Sequence, residues 1–356
     1  MGSPSSKNSA SQGQKITLAL VAEVAGVSKA SASKALNNRK DVSADTRRRV
    51  QEACQRLGYQ PTTMRTPTHP RIALVADNLS TSYTLEVLKG ATTEAMRRNI
   101  ALYLSHTSID ASDLPEGHHP LSKEWITQIK AEGYLGLITL TSRLEDAFVS
   151  HLRRAGLPHV AIDPASTPPL GTASIGATNW NGGREATQHL IDLGHRKIAF
   201  IHGPHTSVPA RERHEGYLSA MRGNHLNVDP AWIVGHDFSY EGGYRAGLDL
   251  LDLPEAVRPT AVFASNDMAA FGVYEAARER GIHIPHDLSV VGFDDTDMAL
   301  WATPRLTTVH QPLLNMGAAA VSTLIDLGGN SPATPSHPVQ LSTHLVVRDS
   351  SAAAPA

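Results

Sequence analysis

The stretch EVAGVSKASASKALNN, residues Glu23 to Asn38, decides how this chain is read. It is rich in alanine and serine, and its only charges are Glu23, Lys29 and Lys34. Thr17 can cap a helix that buries Leu20, Val21 and Val24, and Gly26 breaks it. Ser28 caps a second helix over Lys29 to Asn37, and Ser43 a third that runs through DTRRRVQEACQRL and stops at Gly58. Two short helices joined by a tight glycine-containing turn and braced by a third form a helix-turn-helix pattern. A plain three-helix bundle, with serines that are merely caps, is the structural alternative.

The second helix has the composition of a groove reader. Ala32 and Leu36 are placed to pack inward with Val24 and Val27, while Lys29, Ala30, Ser33, Lys34 and Asn37 share one exposed stripe. Small side chains permit close approach to a duplex. Lysine can donate to guanine O6 and N7, and an alanine methyl can touch a thymine methyl, so Lys29, Ala30 and Lys34 are the expected base contacts. Hydroxyls and amides at helix ends (Thr17, Ser28, Ser33, Asn37, Ser43 and Thr46) suit phosphate clamping.

The charge balance agrees. Residues 1–61 hold ten Lys/Arg against four Asp/Glu, whereas the remainder holds twenty-two against thirty, within a net charge of −2. A small basic piece on a large acidic body fits a nucleic-acid-binding module attached to something else. The length of 356 residues allows two or three domains. No apolar run approaches a membrane span, and residues 1–15 read as an unstructured tail without a signal peptide. The single cysteine, Cys54, suits a reducing cytoplasm.

Beyond residue 72, apolar runs (RIALVAD, IALYLSH, LGLITLT, HVAID, KIAFIHG, AVFASND, LSVVGFDD) alternate with amphipathic helical segments. Such alternation predicts parallel sheets covered by helices on both faces, here divided into two similar lobes. Ligands then bind outside the carboxyl ends of the strands.

The segment TLALVAEVAGVSKASASKALNNRKDVSADTRRRVQEACQRLGYQP resembles the DNA-binding headpiece of the lactose-repressor/galactose-repressor family of bacterial transcription regulators, and the resemblance continues through nearly the whole chain. Ala19, Ser31, Ala32 and Lys34 depart from that family's pattern. Lysine at 34 lacks the flat bidentate fork of arginine, which softens specification of the base it reads. The resemblance implies a helix-turn-helix headpiece (16–61), a connector (62–71) and an effector-binding domain (72–349) of two Rossmann-like lobes of the periplasmic-binding-protein type. The first lobe is expected over 72–163 and 311–327, the second over 164–310 and 328–349, with 350–356 a tail.

The family match also implies the ligand contacts. Arg211 in ARERHEGY, Asn266 and Asp267 in FASNDMAAFG and Asp294 in VVGFDDT fall where the family grips its ligand. Tyr83 is the one aromatic left in NLSTSYTLEVLKG, and Trp180 in SIGATNWNGG is an added one beside Thr178, where the family commonly has aspartate. Planar Asn, Asp and Arg side chains that take adjacent hydroxyls in pairs, with an aromatic face for the C–H side of a ring, fit a sugar. The connector is shorter than usual and interrupted by Pro67 and Pro70, with Met64 as its sole candidate minor-groove wedge.

The expected function is therefore a sugar-responsive, homodimeric repressor of operator DNA without enzyme activity or cofactor. A purine, nucleoside or partner protein as effector is the near alternative, and a free carbohydrate-binding protein the distant one. His118–His119 and His202–His205 lack the partners of a metal site. Asp294 and Asp295 are adjacent on a strand end and point to opposite faces, so they cannot flank one glycosidic bond.

Overall fold

The computed structural model describes residues 17–36, 39, 42–59, 69–108, 119–329 and 338–355. Asn37 and Met64 lie outside these residues, as do most of the connector and the N-terminal tail. The chain divides into two units, residues 1–68 and 69–356.

The first unit holds α1 (Leu18–Val24), α2 (Lys29–Leu36) and α3 (Ala44–Leu57). Each begins on the expected cap. Thr17 accepts from the Leu20 amide at 3.4 Å, Ser28 from Ser31 at 3.0 Å and Ser43 from Thr46 at 3.2 Å. Gly26 and Gly58 end α1 and α3 with φ of +64°, the left-handed geometry glycine adopts without strain. Val21, Ala22, Ala25, Ala32, Ala35, Val50 and Ala53 form the buried core, against which Val24, Val27 and Leu36 pack. Leu20 lies outside this core, and Ala22 takes the inward place on α1.

The second unit contains two six-stranded sheets. The first joins β1 (Arg71–Ala76), β2 (Ala101–His106), β3 (Gly136–Leu140), β4 (His159–Ile162), β5 (Ala173–Ala177) and β11 (Val339–Leu341). Its order is β2–β1–β3–β4–β5–β11, and every pairing is parallel. The second joins β6 (Ile198–Ile201), β7 (Ile233–Val234), β8 (Ala261–Ala264), β9 (Ser289–Asp294), β10 (Thr307–His310) and β12 (His344–Val346). Its order is β7–β6–β8–β9–β10–β12, parallel except for β12 against β10. Central strands such as β3 and β9 are buried throughout, as strands covered on both faces must be.

Three helix pairs pack closely on these sheets: α4 (Ser82–Arg97) with α12 (Leu313–Gly328), α7 (Asn179–Asp192) with α8 (Val208–Gly223), and α9 (Tyr240–Leu251) with α10 (Asp267–Glu279). Among the described residues no helix is long and apolar enough to cross a membrane.

Three lobe boundaries differ from expectation. The region from 164 does not open the second lobe, because β5 extends the first sheet beside β4 and the chain crosses only at Thr178. The segment 328–349 is split, with β11 completing the first sheet and β12 the second. Thr178 braces these two crossings: its hydroxyl accepts from the Thr343 amide at 2.9 Å. Residues 350–355 are no loose tail. The buried Ser350 hydroxyl donates to the Val290 carbonyl at 2.6 Å and accepts from the Thr307 amide at 2.8 Å, and the Ala354 amide reaches the Leu193 carbonyl.

Candidate functional site

The carboxyl ends of both sheets face a cavity of 170 Å³ between the lobes. From the first lobe come Asp77 after β1, the start of α4 with Tyr83, Thr141 after β3 and Asp163 after β4. The second lobe supplies Arg213 from α8, Phe238 from the segment after β7, Asn266 and Asp267 after β8, and Asp294 ending β9. Thr141, Asp163 and Asp294 hold positive φ values of 51°, 41° and 119°. Non-glycine residues in this region are uncommon and gather at functional sites.

Arg213 organises the second-lobe wall. It is 3 % exposed. Its Nε donates to Asn179 Oδ1 at 2.9 Å, its Nη1 donates to the Ser265 carbonyl at 2.6 Å and lies 3.6 Å from Asp294 Oδ1, and its plane stacks 3.8 Å from the Phe293 ring centre. Its Nη2 has no protein partner among the described residues. Asp294 also accepts from Gln311 Nε2 at 2.7 Å. Burial pushes the Asp294 carboxyl up, against the downward pull of Arg213.

Across the cavity, the Tyr83 hydroxyl donates to Asp163 Oδ2 at 2.7 Å. Burial raises the Asp163 carboxyl and raises the Tyr83 phenol well above its usual value. Asp77 Oδ1 accepts from Thr141 and from the Asn78 amide.

Of the expected ligand residues, Tyr83, Asn266, Asp267 and Asp294 line this cavity. Two of them spend polar atoms on the scaffold. Asn266 caps α10 through Oδ1 to the Ala269 amide and donates to the Phe238 carbonyl. Asp267 has both oxygens engaged, Oδ1 by Thr308 and Oδ2 by the Thr296 amide and hydroxyl. Asp295 turns away from Asp294 toward His310 and Arg348, as adjacent strand residues should.

Two expectations are corrected. Arg211 is exposed, and its Nη2 donates to Thr167 rather than to the cavity. Two helical positions turn a side chain by about 200°, which puts Arg213, not Arg211, on the inner face of α8. Trp180 is 41 % exposed on α7 and does not line the cavity. Phe238 provides the second aromatic there.

In the first unit, Lys29, Ala30 and Lys34 are exposed on α2 while Ala32 and Ala35 point into the core. The Ser28 and Ser43 hydroxyls are occupied as caps, and Ser43 also donates to the Thr46 hydroxyl at 2.9 Å. The Thr46 proton thereby stays available to an outside acceptor.

Residues 17–62 match the family model described as bacterial regulatory proteins, lacI family, and residues 187–351 match a periplasmic binding protein-like domain. The ribose operon repressor of Escherichia coli (strain K12) is 34% identical over 315 residues, covering 87% of this chain and 92% of that protein. The chain belongs to the lacI family of bacterial regulatory proteins. As a lacI-family member it is a DNA-binding transcriptional repressor rather than an enzyme.

Two solved structures of the family are similar along their whole length. One is a complex of the transcriptional regulator CelR with cellobiose: 30% identity, TM-score 0.67, covering 94% of this chain and all of that one. The other is a lac repressor dimer bound to operator and the anti-inducer ONPF: 27% identity, TM-score 0.70, covering 96% and 100%.

Sequence reasoning missed Asp77, Asp163, Arg213 and Phe238 in this lacI-family cleft. Phe238 follows β7, a two-residue strand that no apolar run announces. A signal existed for two of the others, Asp77 and Asp163, which end the strand runs RIALVAD and HVAID. The strand-end rule used for Asp294 applies equally to them.

Proposed function

We propose that this repressor is governed by a small carbohydrate held between its two lobes. The observation that carries the reading is the cleft itself. It sets carboxylates and an asparagine at strand ends, and adds Arg213 from α8 and the aromatic faces of Tyr83 and Phe238. Hydroxyls donate and accept together, so they can satisfy Asp163, Asp294 and Arg213 at once, while an aromatic face covers ring C–H groups. The ribose operon repressor and the cellobiose complex among its relatives support a sugar.

On DNA, Lys29, Ala30 and Lys34 read base edges, and hydroxyls at the helix ends hold phosphates. The repressor acts as a homodimer on a pseudo-palindromic operator, each copy reading one half-site. The lac repressor dimer on its operator supports this arrangement, as do exposed apolar side chains on α4 and β2 of the first lobe, where Leu85, Met96 and Leu104 are 44–78 % accessible. The sugar changes operator affinity only as far as it binds the two conformational states unequally.

Thermal unfolding against mono- and oligosaccharides, with nucleosides as controls, tests the effector class. A ligand at a hundred times its Kd adds about 2.7 kcal/mol of stability. A shift with a sugar that vanishes in Arg213→Ala supports the reading. A shift with nucleosides alone overturns it.

A further inference from the structure

The cleft is unbalanced in charge and in hydrogen-bonding sense. Among the described residues, Asp77, Asp163, Asp267 and Asp294 line it against one cation, Arg213, and no lysine or histidine contributes. Arg213 lies beside Asp294 and spends two of its nitrogens on Asn179 and Ser265. Three helices begin at the cavity and would offer amide groups to an anion. In each, the cap takes one first-turn amide (Thr81 in α4, Ser207 in α8, Asn266 in α10), Pro209 has none to offer, and Asp267 adds a carboxylate at the start of α10.

The open acceptors tell the same story. Asp163 Oδ1 and Asp294 Oδ2 have no protein partner among the described residues, nor has Asp77 Oδ2. An ionised carboxylate oxygen only accepts, so above the range to which burial raises Asp163 and Asp294 whatever completes these oxygens must donate. A sugar hydroxyl does so. A phosphate ester dianion brings further acceptors and two more negative charges into a poorly solvated space.

We propose that the effector is an uncharged, unphosphorylated polyhydroxyl sugar, selected against its phosphate ester by the Asp77 and Asp163 carboxylates. This rests on the carbohydrate reading of the cleft and narrows it to one class. Asp163 and Asp77 act as specificity determinants: each accepts from a ligand hydroxyl and repels a ligand anion. Arg213 has two of its three nitrogens bonded to Asn179 and Ser265, which leaves Nη2 alone for a phosphoryl group.

Isothermal titration calorimetry on the full chain separates the outcomes. The probes are D-ribose, D-glucose and cellobiose, each beside its terminal phosphate ester (ribose 5-phosphate, glucose 6-phosphate, cellobiose 6′-phosphate). The parent sugar that binds is expected to bind at least about 100-fold tighter than its ester, the scale of one like-charge contact at intermediate dielectric. In the near-isosteric variants Asp163→Asn and Asp77→Asn that ratio shrinks by about tenfold or more, even where both affinities fall. An ester that binds as tightly as its parent overturns the proposal and leaves the cleft a carbohydrate site. So does a ratio that neither variant changes, because exclusion would then be a matter of shape. If no sugar and no ester binds, the carbohydrate reading itself falls.

Discussion

Replacing Arg213 by alanine removes one side chain and strands several groups at once. Asp294, 4 % exposed, keeps only the Gln311 amide. Asn179 Oδ1 and the Ser265 carbonyl lose their donors, and Phe293 loses a stacked guanidinium. Breaking a buried ion pair from one side costs about 3–5 kcal/mol, and an orphaned buried acceptor adds about 1–3 kcal/mol. The sum is capped because Asp294 has an escape. Burial already raises its native pKa above the unfolded value, and removing Arg213 deletes the main influence that lowers it. The native variant then holds protons that the unfolded chain has released, so its stability falls as pH rises from the unfolded carboxylate range toward the raised native value. Arg213→Ala should therefore lose about 3–5 kcal/mol relative to the parent, with the loss changing little between pH 5 and pH 7, because both native states hold the Asp294 proton there. The four tryptophans, at 125, 180, 232 and 301, all lie in the second unit, so urea unfolding followed by tryptophan fluorescence reports on that unit alone. Arg211→Ala is the internal control, since an exposed arginine bonded to Thr167 should matter by no more than about 0.5 kcal/mol. A larger loss in Arg211→Ala than in Arg213→Ala would refute the assignment of Arg213 as the buried partner of Asp294.

Gly183 and Gly216 let α7 and α8 touch, and a Cβ on Gly183 would lie 2.3 Å from the Arg213 carbonyl. Gly183→Ala should cost at least about 1–3 kcal/mol and weaken sugar binding by displacing Arg213, measured by the same unfolding assay and by calorimetry. Lys29→Ala and Lys34→Ala should each cost about 1–3 kcal/mol of operator affinity and relax preference at single base pairs, seen by titrating operator variants at fixed salt. Ser28→Ala should instead weaken binding about evenly across sequences, because its hydroxyl caps α2 and serves no base. Ser350→Ala removes a buried hydroxyl shared by Val290 and Thr307 and should lower stability by about 1–3 kcal/mol, against no change on removing the tail beyond Ala354.

Capping and periodicity are local rules, and where a feature is local the residues announce it. Ser28 and Ser43 each cap the next helix through an amide three positions on, and Gly26 and Gly58 sit where a left-handed turn is required, so the three helices of the first unit stand where the caps put them. The alternation of buried strands with amphipathic helices likewise foretells two parallel sheets. What failed depends on partners distant in sequence. β11 and β12 are three residues each, and which sheet edge each meets, β11 parallel to β5 and β12 antiparallel to β10, is set by strands earlier in the chain. The docked C-terminus is equally silent, since a serine among serines gives no hint that Ser350 will be enclosed by β9 and β10.

Arg211 and Arg213 show the same limit at the scale of one helix turn. The segment ARER offers two arginines, and α8 can face the cleft with only one of them. The capping serine at 207 sets where the helix starts, and Ala210, Arg213, Gly216, Tyr217 and Ala220 then fall on one buried stripe at helical spacing. Arg211 is off that stripe. Had the periodicity of α8 been weighed above the order of residues in the family motif, Arg213 would have been the choice. A charged residue inside an otherwise apolar and small-residue stripe is costly unless it is paired, and its pairing with Asp294 on the same lobe is what makes that stripe a binding wall instead of plain core.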